Sequence, residues 1–343
     1  MARKILILPD AGPKNPFQYQ LIALLEGAGF QVCKARSRRF FTTLAAVRRH
    51  RPDVVYFDWI QSFVLGKTLL VTLLKCACFA LEITYLTRVR RLTLVHTLHN
   101  IQNHSRRWVA VERTVYRWFL RRCHRVRVYS ETTRRKIIRF YGVDPRKISV
   151  VQDVPYHHYY PNTTSRAAGR AALSIPGGAF VFLFLGMVKP YKGIEDLIDA
   201  FVALPLARKY LVIAGASDQE TYGKALGTRL AGRPDVRYHN FFVEPGRVQD
   251  YFAAADVAVF PFRRVEHSGS VDLALSFGKA VITLNTPFMR SLLAHQAPLL
   301  YNHLGELPAL MARAAQLDLD GIGRANFAVA DRTNYRDILL LFG

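Results

Sequence analysis

The sequence predicts an α/β protein made of two Rossmann-like halves. Three observations lead there. Short apolar runs alternate with longer amphipathic stretches, a turn-rich segment between Pro155 and Gly178 interrupts that alternation, and a second series begins after it. Alternation of strand and helix patterns builds a parallel sheet with helices on both faces. At 343 residues the chain is long enough for two hydrophobic cores.

The elements follow in order. KILILPD (4–10) reads as a buried strand running into a loop, and QYQLIALLEGAGF (18–30) as a helix closed by glycine. QVCKAR (31–36) is a strand, TTLAAVRRHRP (42–52) a helix and DVVYFDW (53–59) a strand. A long helical stretch (62–88) leads to the strand and loop of LTLVHTLHN (92–100). VRVYS (126–130) and ISVVQDV (148–154) are strands flanking the helix TTRRKIIRFYG (132–142). In the second series the strands are 180–186, 209–215, 236–242, 256–262 and 279–285. Its helices cover 194–204, 247–255 and 270–278. The expected division is a first domain over 1–160, a second over 161–325, and a C-terminal helix over 326–343 crossing back to the first. A cleft is expected between the carboxyl edges of the two sheets, where open α/β sheets bind ligands.

Half of the residues are hydrophobic and 12% are aromatic, which excludes a disordered chain. The net charge of +23 is lopsided: residues 1–160 hold 29 Lys+Arg against 9 Asp+Glu, residues 161–343 hold 19 against 16. Such asymmetry points the first half at something anionic, either nucleic acid or a membrane surface. The four cysteines, Cys33, Cys76, Cys78 and Cys123, form no CxxC pair and no zinc spacing, and so few thiols fit a reducing cytosol. The N-terminus reads as a strand start rather than a signal peptide. The most apolar region, Trp59 to Leu86, is interrupted by Lys67, Lys75 and Glu82, so no transmembrane helix is expected.

Two stretches of the second half carry chemistry. HSGSVDLALSFGKAVI (267–282) places Ser268, Gly269 and Ser270 at the mouth of a helix. The first amides of a helix lack partners and its dipole is positive there, so such a mouth holds anions. FLGMVKPYKGIEDLIDAF (184–201) repeats the arrangement with Lys189 and Lys192 before a helix that starts at Gly193. Two helix mouths and two lysines are suited to clamping a diphosphate.

The order strand–GxxxPYKG–helix, strand–AG, DVxVxP–loop–SGS–helix–GKxVI resembles the GT-B glycosyltransferases. It is most similar to family 4 and, within that, to the mannosyltransferases that extend xanthan-type lipid-linked repeat units. DVVYFDW (53–59), TLHNIQNHS (97–105) and the NPF of KNPFQYQL (14–21) resemble those enzymes' first-domain loops. The resemblance implies a hexosyltransferase with a nucleotide diphosphate sugar donor, GDP- or UDP-linked, with GDP-mannose foremost. It implies no metal and no other cofactor, because amides and basic side chains neutralise the leaving diphosphate. By the same resemblance Lys192 and Lys189 hold the diphosphate, amides at Ser268, Gly269 and Ser270 complete the clamp, and Gly215 borders the base. His99 lies against the donor sugar, and Glu266 and His267 reach its hydroxyls. The family's E-x7-E pair is missing, since Val265 and Leu273 occupy its positions; Glu266 is one residue off register, Asp272 stands in for the ribose contact, and Met187 replaces the common arginine. Without the pair an inverting outcome stands level with the family's retaining one, and an inverting mechanism needs a first-domain base, for which Asp10 is the first candidate, followed by Asp58 and His99. Asp318-Leu319-Asp320 reads as a surface loop and not as a metal motif.

Arginine is dense from Arg106 to Arg139. Trp108, Val111, Val115 and Trp118 form an apolar stripe beside Arg107, Arg113, Arg117 and Arg121, the pattern of a cationic amphipathic helix on an anionic membrane. A transferase acting on a polyprenyl-diphosphate-linked saccharide at the inner face of the cell membrane has use for such a surface. The rival expectation is a basic nucleic-acid-binding protein or a non-catalytic scaffold. No helix-turn-helix, zinc or RNP-type pattern supports nucleic acid.

Overall fold

The computed structural model describes residues 2–12, 15–37, 40–99, 101 and 108–343. The chain forms two units, Met1–Val154 with Asn334–Gly343, and Pro155–Thr333. The break therefore comes at Val154/Pro155 rather than after residue 160. The expected single helix over 326–343 is two pieces: the end of a helix belonging to the second unit, and a 3₁₀ helix, Tyr335–Leu341, belonging to the first.

The first unit runs β1 (Lys4–Leu8), α1 (Pro16–Gly27), β2 (Gln31–Lys34), α2 (Thr42–His50), β3 (Val54–Phe57), α3 (Gln61–Val64), α4 (Leu69–Arg88), β4 (Thr93–Thr97), α5 (Val109–Arg122), β5 (Arg125–Val128), α6 (Glu131–Tyr141) and β6 (Ile148–Val150). Among the described residues its strands make one sheet in the order β2-β1-β3-β4-β5-β6. Every pairing in it is parallel. Because side chains alternate across a strand, Leu6, Leu8, Val55 and Phe57 enter the core on one face, with Phe79, Ile83, Tyr116 and Phe119 from α4 and α5. Ile5, Ile7, Val54 and Tyr56 enter the other with Phe17 and Leu21 of α1, and Ile338, Leu341 and Phe342 of the C-terminal segment pack there.

Two sequence expectations change here. The helical stretch 62–88 breaks at Gly66–Thr68: Thr68 caps α4 by accepting from Val71 N at 3.3 Å, and Lys75 Nζ donates to the Ser62 and Leu65 carbonyls at the end of α3. Helix α4 is also, by length and composition, long and apolar enough to cross a membrane. Its inner face, Thr72, Cys76, Phe79, Glu82, Ile83 and Leu86, is buried within the unit.

The second unit begins with the 3₁₀ turn Tyr156–His158 and continues with α7 (Arg166–Ala172), β7 (Phe180–Leu185), α8 (Ile194–Ala203), β8 (Lys209–Ala214), α9 (Glu220–Leu230), β9 (Val236–His239), α10 (Pro245–Ala254), β10 (Val257–Phe260), α11 (Gly269–Ser276), β11 (Ala280–Leu284), α12 (Pro287–Leu292), β12 (Leu300–Tyr301), α13 (Leu307–Ala314) and α14 (Leu319–Asp331). Its sheet, also parallel throughout, has the order β12-β11-β10-β7-β8-β9. Phe182, Phe184, Phe201, Phe252 and Phe260 are fully buried and dominate its core. Asp318 caps α14 by accepting from Gly321 N at 2.9 Å, so the Asp318–Asp320 stretch starts a helix and is not a loop.

Candidate functional site

In each sheet the strand order turns back on itself once, between β1 and β3 in the first unit and between β7 and β10 in the second. Adjacent loops diverge to opposite faces at such a point, leaving a crevice at the carboxyl ends of the strands. The predicted residues gather at these two places.

In the first unit Asp58 follows β3 and His99 follows β4, its neighbour in the sheet. His99 Nε2 lies 2.5 Å from Asp58 Oδ1, and His99 Nδ1 lies 2.9 Å from the Tyr129 hydroxyl. Trp59 stacks on the imidazole at 4.6 Å and Phe17 meets it edge-on at 5.6 Å. Asp58 is fully buried, and its other oxygen accepts from Gln18 Nε2 at 2.9 Å. With the carboxylate taking the Nε2 proton in hydrogen bond, the partners assign Nδ1 as the basic nitrogen, accepting from Tyr129. Asp10 is otherwise occupied. Its carboxylate accepts from Gly12 N at 3.0 Å and pairs with Lys34 at 3.4 Å, the duties of a turn residue. Gln18 joins this loop to the dyad by donating to Pro9 O and accepting from Ala11 N, both at 2.9 Å.

Behind the dyad, Arg127 is fully buried on β5. It donates to Asp153 Oδ1 at 2.5 Å and to Val151 O at 3.0 Å, and its guanidinium stands 4.8 Å from the Tyr129 ring. Burial works against its charge, but the Asp153 carboxylate more than offsets this and raises its pKa. Losing Asp153 would strand a buried cation, at a cost of about 3–5 kcal/mol. Gln18, Trp59, Arg127, Tyr129 and Asp153 were not singled out from the sequence. A charge in the interior of the apolar strand VRVYS was the available signal.

In the second unit Lys192 ends the loop after β7. Its Nζ stands 5.7 Å from the Phe184 ring and 5.9 Å from the Phe262 ring. Among the described residues no carboxylate pairs with it. Burial, with Lys189 adding like charge, pulls its pKa down to about 8. A Cβ placed on Gly186 would lie 2.5 Å from Ser270 Oγ and 3.4 Å from Lys192 Nζ, so those two side chains converge over the end of β7. Ser270 is in the first turn of α11, whose N-cap, Ser268, makes no side-chain cap bond. Lysine, hydroxyl and uncapped amides thus face one spot. Glycine is obligatory around it: a Cβ on Gly215 would sit 1.9 Å from Gly186 O, and one on Gly193 2.1 Å from Pro261 O. The Tyr156 hydroxyl lies over Gly269, 3.0 Å from where its Cβ would be.

The remaining predicted residues are placed less directly. Lys189 is paired with Asp218 at 2.9 Å. His267 and Asp272 pair with each other at 2.6 Å, across the mouth of α11. Glu266 is half-buried in the loop between β10 and α11, and Met187 is half-exposed. At the two ends of the unit His157, His158 and Asp331 gather ligand-capable atoms within 4.8 Å of one another, away from any predicted residue in sequence.

The cationic helix reading of α5 is corrected. Its stripe of Val111, Val115 and Trp118 packs against the first core, with Tyr116, Phe119 and Leu120 fully enclosed. Arg122 stacks on Trp118 at 4.1 Å. Arg107, Asn100 and residues 102–106 lie outside the described residues.

Residues 165–302 match the family described as "Glycosyl transferases group 1", and residues 13–153 match "Glycosyl transferase 4-like domain". A "GDP-mannose:glycolipid 4-beta-D-mannosyltransferase" of Xanthomonas campestris is 27% identical over 269 residues, 78% of this chain and 69% of that protein. A "D-inositol 3-phosphate glycosyltransferase 2" of Catenulispora acidiphila is 33% identical over 137 residues, 37% of this chain and 32% of that one. The solved structure of Anabaena Alr3699/HepE in complex with UDP-glucose superposes with a TM-score of 0.71 at 17% identity, covering 100% of this chain and 97% of that one.

Proposed function

The chain is a glycosyltransferase of the GT-B fold, and on that premise we propose that it moves a hexose from a nucleotide diphosphate sugar to a lipid-linked saccharide. GDP-mannose is the first donor to test, since the Xanthomonas relative is named for it; the Anabaena structure holds UDP-glucose, so uridine donors come second. Exopolysaccharide or cell-envelope glycan synthesis at the inner face of the cell membrane is the setting this acceptor implies.

The observation that carries the reading is the convergence of Lys192, Ser270 and the uncapped start of α11 at the turning point of the second sheet. As the anomeric C–O bond breaks, its electron pair goes to the diphosphate. An ammonium and helix-mouth amides stabilise that charge where it develops. This arrangement does the work of a divalent cation, so transfer is expected to survive chelation. On the acceptor side the attacking hydroxyl loses its proton as the new C–O bond forms. His99 Nδ1, the nitrogen that the Asp58 bond leaves basic, is the group to receive it once the acceptor hydroxyl takes the place of the Tyr129 hydroxyl there. Glu266, and the His267–Asp272 pair at the α11 mouth, are the candidates for sugar and ribose hydroxyls.

A thermal-shift panel tests the donor. GDP or UDP should stabilise the protein, AMP and duplex DNA should not, and Lys192→Ala should abolish the shift. Stabilisation by DNA alone, or an unchanged shift in Lys192→Ala, would overturn the reading.

A further inference from the structure

Helix α4 has the wrong outside for a helix of a solvated α/β unit. Such helices bury one stripe and show water a polar face. Here the outward positions are Leu69, Leu70, Leu73, Leu74, Leu81 and Tyr85, between 37% and 67% exposed. Val89, 65% exposed, continues the face past the helix end. Phe41, 48% exposed, shares a small pocket with Cys78 and Phe79 on its flank. A contiguous apolar face of this length marks an interaction surface.

Its surroundings are uniformly cationic. Lys67 stands exposed before the first turn, Arg88 in the last turn, and Arg90 and Arg91 just beyond it. The helices packed against α4 are α3, which carries no charged residue, α2 and α5. Helix α2 exposes Arg48 and Arg49, and on α5 Arg122 lies close enough to Arg88 for the two like charges to act on each other. Between Asp53 and Glu131 the only acidic residues are Asp58, Glu82 and Glu112, and all three are buried. Among the described residues from 54 to 130, no exposed carboxylate offsets the positive charge.

We infer that the α4 face is a membrane-docking surface, lying in the plane of an anionic bilayer with its leucines among the acyl chains and the surrounding cations on the phosphates. Charge complementarity selects this occupant. A second copy of the chain would set one basic rim against another. Nucleic acid would satisfy the arginines and leave the leucines wet. A spanning orientation would tear the inner face, including the Leu44 N to Glu82 bond of 2.7 Å, out of the unit. Helices of this composition settle about 5–10 Å into the headgroup boundary. The inference goes beyond the proposed reaction and uses the lipid-linked acceptor only as a reason for such a surface.

The test is co-sedimentation of the full chain with vesicles of phosphatidylcholine, with and without phosphatidylglycerol, in the absence of any sugar nucleotide. Binding should require the anionic lipid. Combined Arg88→Gln, Arg90→Gln and Arg91→Gln should weaken it by roughly a hundredfold, at about fivefold per cation. Combined Leu70→Gln, Leu74→Gln and Leu81→Gln should remove the part of binding that survives high salt. A tryptophan placed by Leu74→Trp should be quenched by brominated acyl chains. An unquenched Leu74→Trp, a leucine variant that sediments like the wild type, duplex DNA outcompeting the vesicles, or a dimer that the leucine variant dissociates would each overturn the assignment. Because the assay contains no donor, its failure leaves the transfer reading untouched, and failure of the nucleotide panel leaves this one untouched.

Discussion

His99 Nε2 and Asp58 Oδ1 stand 2.5 Å apart at the ends of two neighbouring parallel strands, with Asp58 fully buried and the opposite ring nitrogen held by Tyr129. The carboxylate can do little for an acceptor directly. What it can do is fix the orientation and tautomer of the imidazole.

Asp58→Asn preserves the shape but offers an amide in place of a charge. It should lower the single-turnover transfer rate by about 10²-fold or more, within the range of general acid–base catalysis. His99→Ala should cost at least as much, and the double variant no more than His99→Ala alone, because the two act as a unit. Asp10→Asn, by contrast, removes a turn acceptor and a pair with Lys34 and should leave the rate within about tenfold of wild type. A larger loss there, with Asp58→Asn near normal, would move the base to Asp10.

Among the described residues the buried Lys192 ammonium has no carboxylate partner, so in the empty protein burial works against the group proposed to hold the donor. Lys192→Met should raise the apoprotein melting temperature; a gain of about 1 kcal/mol corresponds to roughly 2–4 °C. The same change should weaken nucleotide diphosphate binding about tenfold to a hundredfold, the worth of a charge-assisted hydrogen bond. Calorimetry on both forms reads the two effects separately. A lower melting temperature would show that the lysine packs more than it strains.

The depressed pKa of Lys192, about 8, has two consequences with pH. Below pH 8 folded and unfolded chains both carry the proton and the burial penalty is present in full. Between pH 8 and the unfolded value near 10.5 the unfolded chain binds more protons, so stability from this group rises with pH. Donor binding runs the other way. A diphosphate favours the ammonium, so affinity should fall above pH 8, by up to about tenfold per unit. Titrations of GDP or UDP from pH 7 to pH 10 check this, and Lys192→Met should flatten the slope.

Gly215→Ala forces a Cβ to within 1.9 Å of Gly186 O and should destroy nucleotide binding with a marked loss of stability. Gly232 has a similar need for positive φ but open space around it. Gly232→Ala should therefore cost only about 1 kcal/mol and leave binding intact. Equal behaviour of the two in denaturant melts and binding assays would mean that the close approach at the strand ends carries no functional weight.

The fold was legible because apolar runs of buried parallel strands and the 3.6-residue stripes of their helices are local signals. KILIL, VVYF, FVFLFL and YLVIA need no context to read as strands. The proposed diphosphate site rests on local signals for a related reason: PYKG and SGS are contiguous, and each sits on one turn. The dyad was not. Asp58 and His99 are forty-one positions apart in a sequence with many histidines and aspartates, and only the pairing of β3 with β4 makes them neighbours. Burial direction was the other blind spot. The stripe of α5 and the leucines of α4 are both apolar at helical spacing. Which of them faces solvent depends on how each helix sits on the sheet, which periodicity does not encode.

The C-terminal segment completes the first core through Ile338, Leu341 and Phe342, although some 180 residues of the other unit intervene. In covalent terms the second unit is an insert within the first. A fragment stopped at Val154 would leave the β1 and β3 face without its last three apolar plugs, and aggregation would follow. Residues 155–333, being uninterrupted, are the portion that recombination could exchange whole. Under the proposed function, exchanging that unit would change donor preference and leave the unit proposed to face the acceptor as it was.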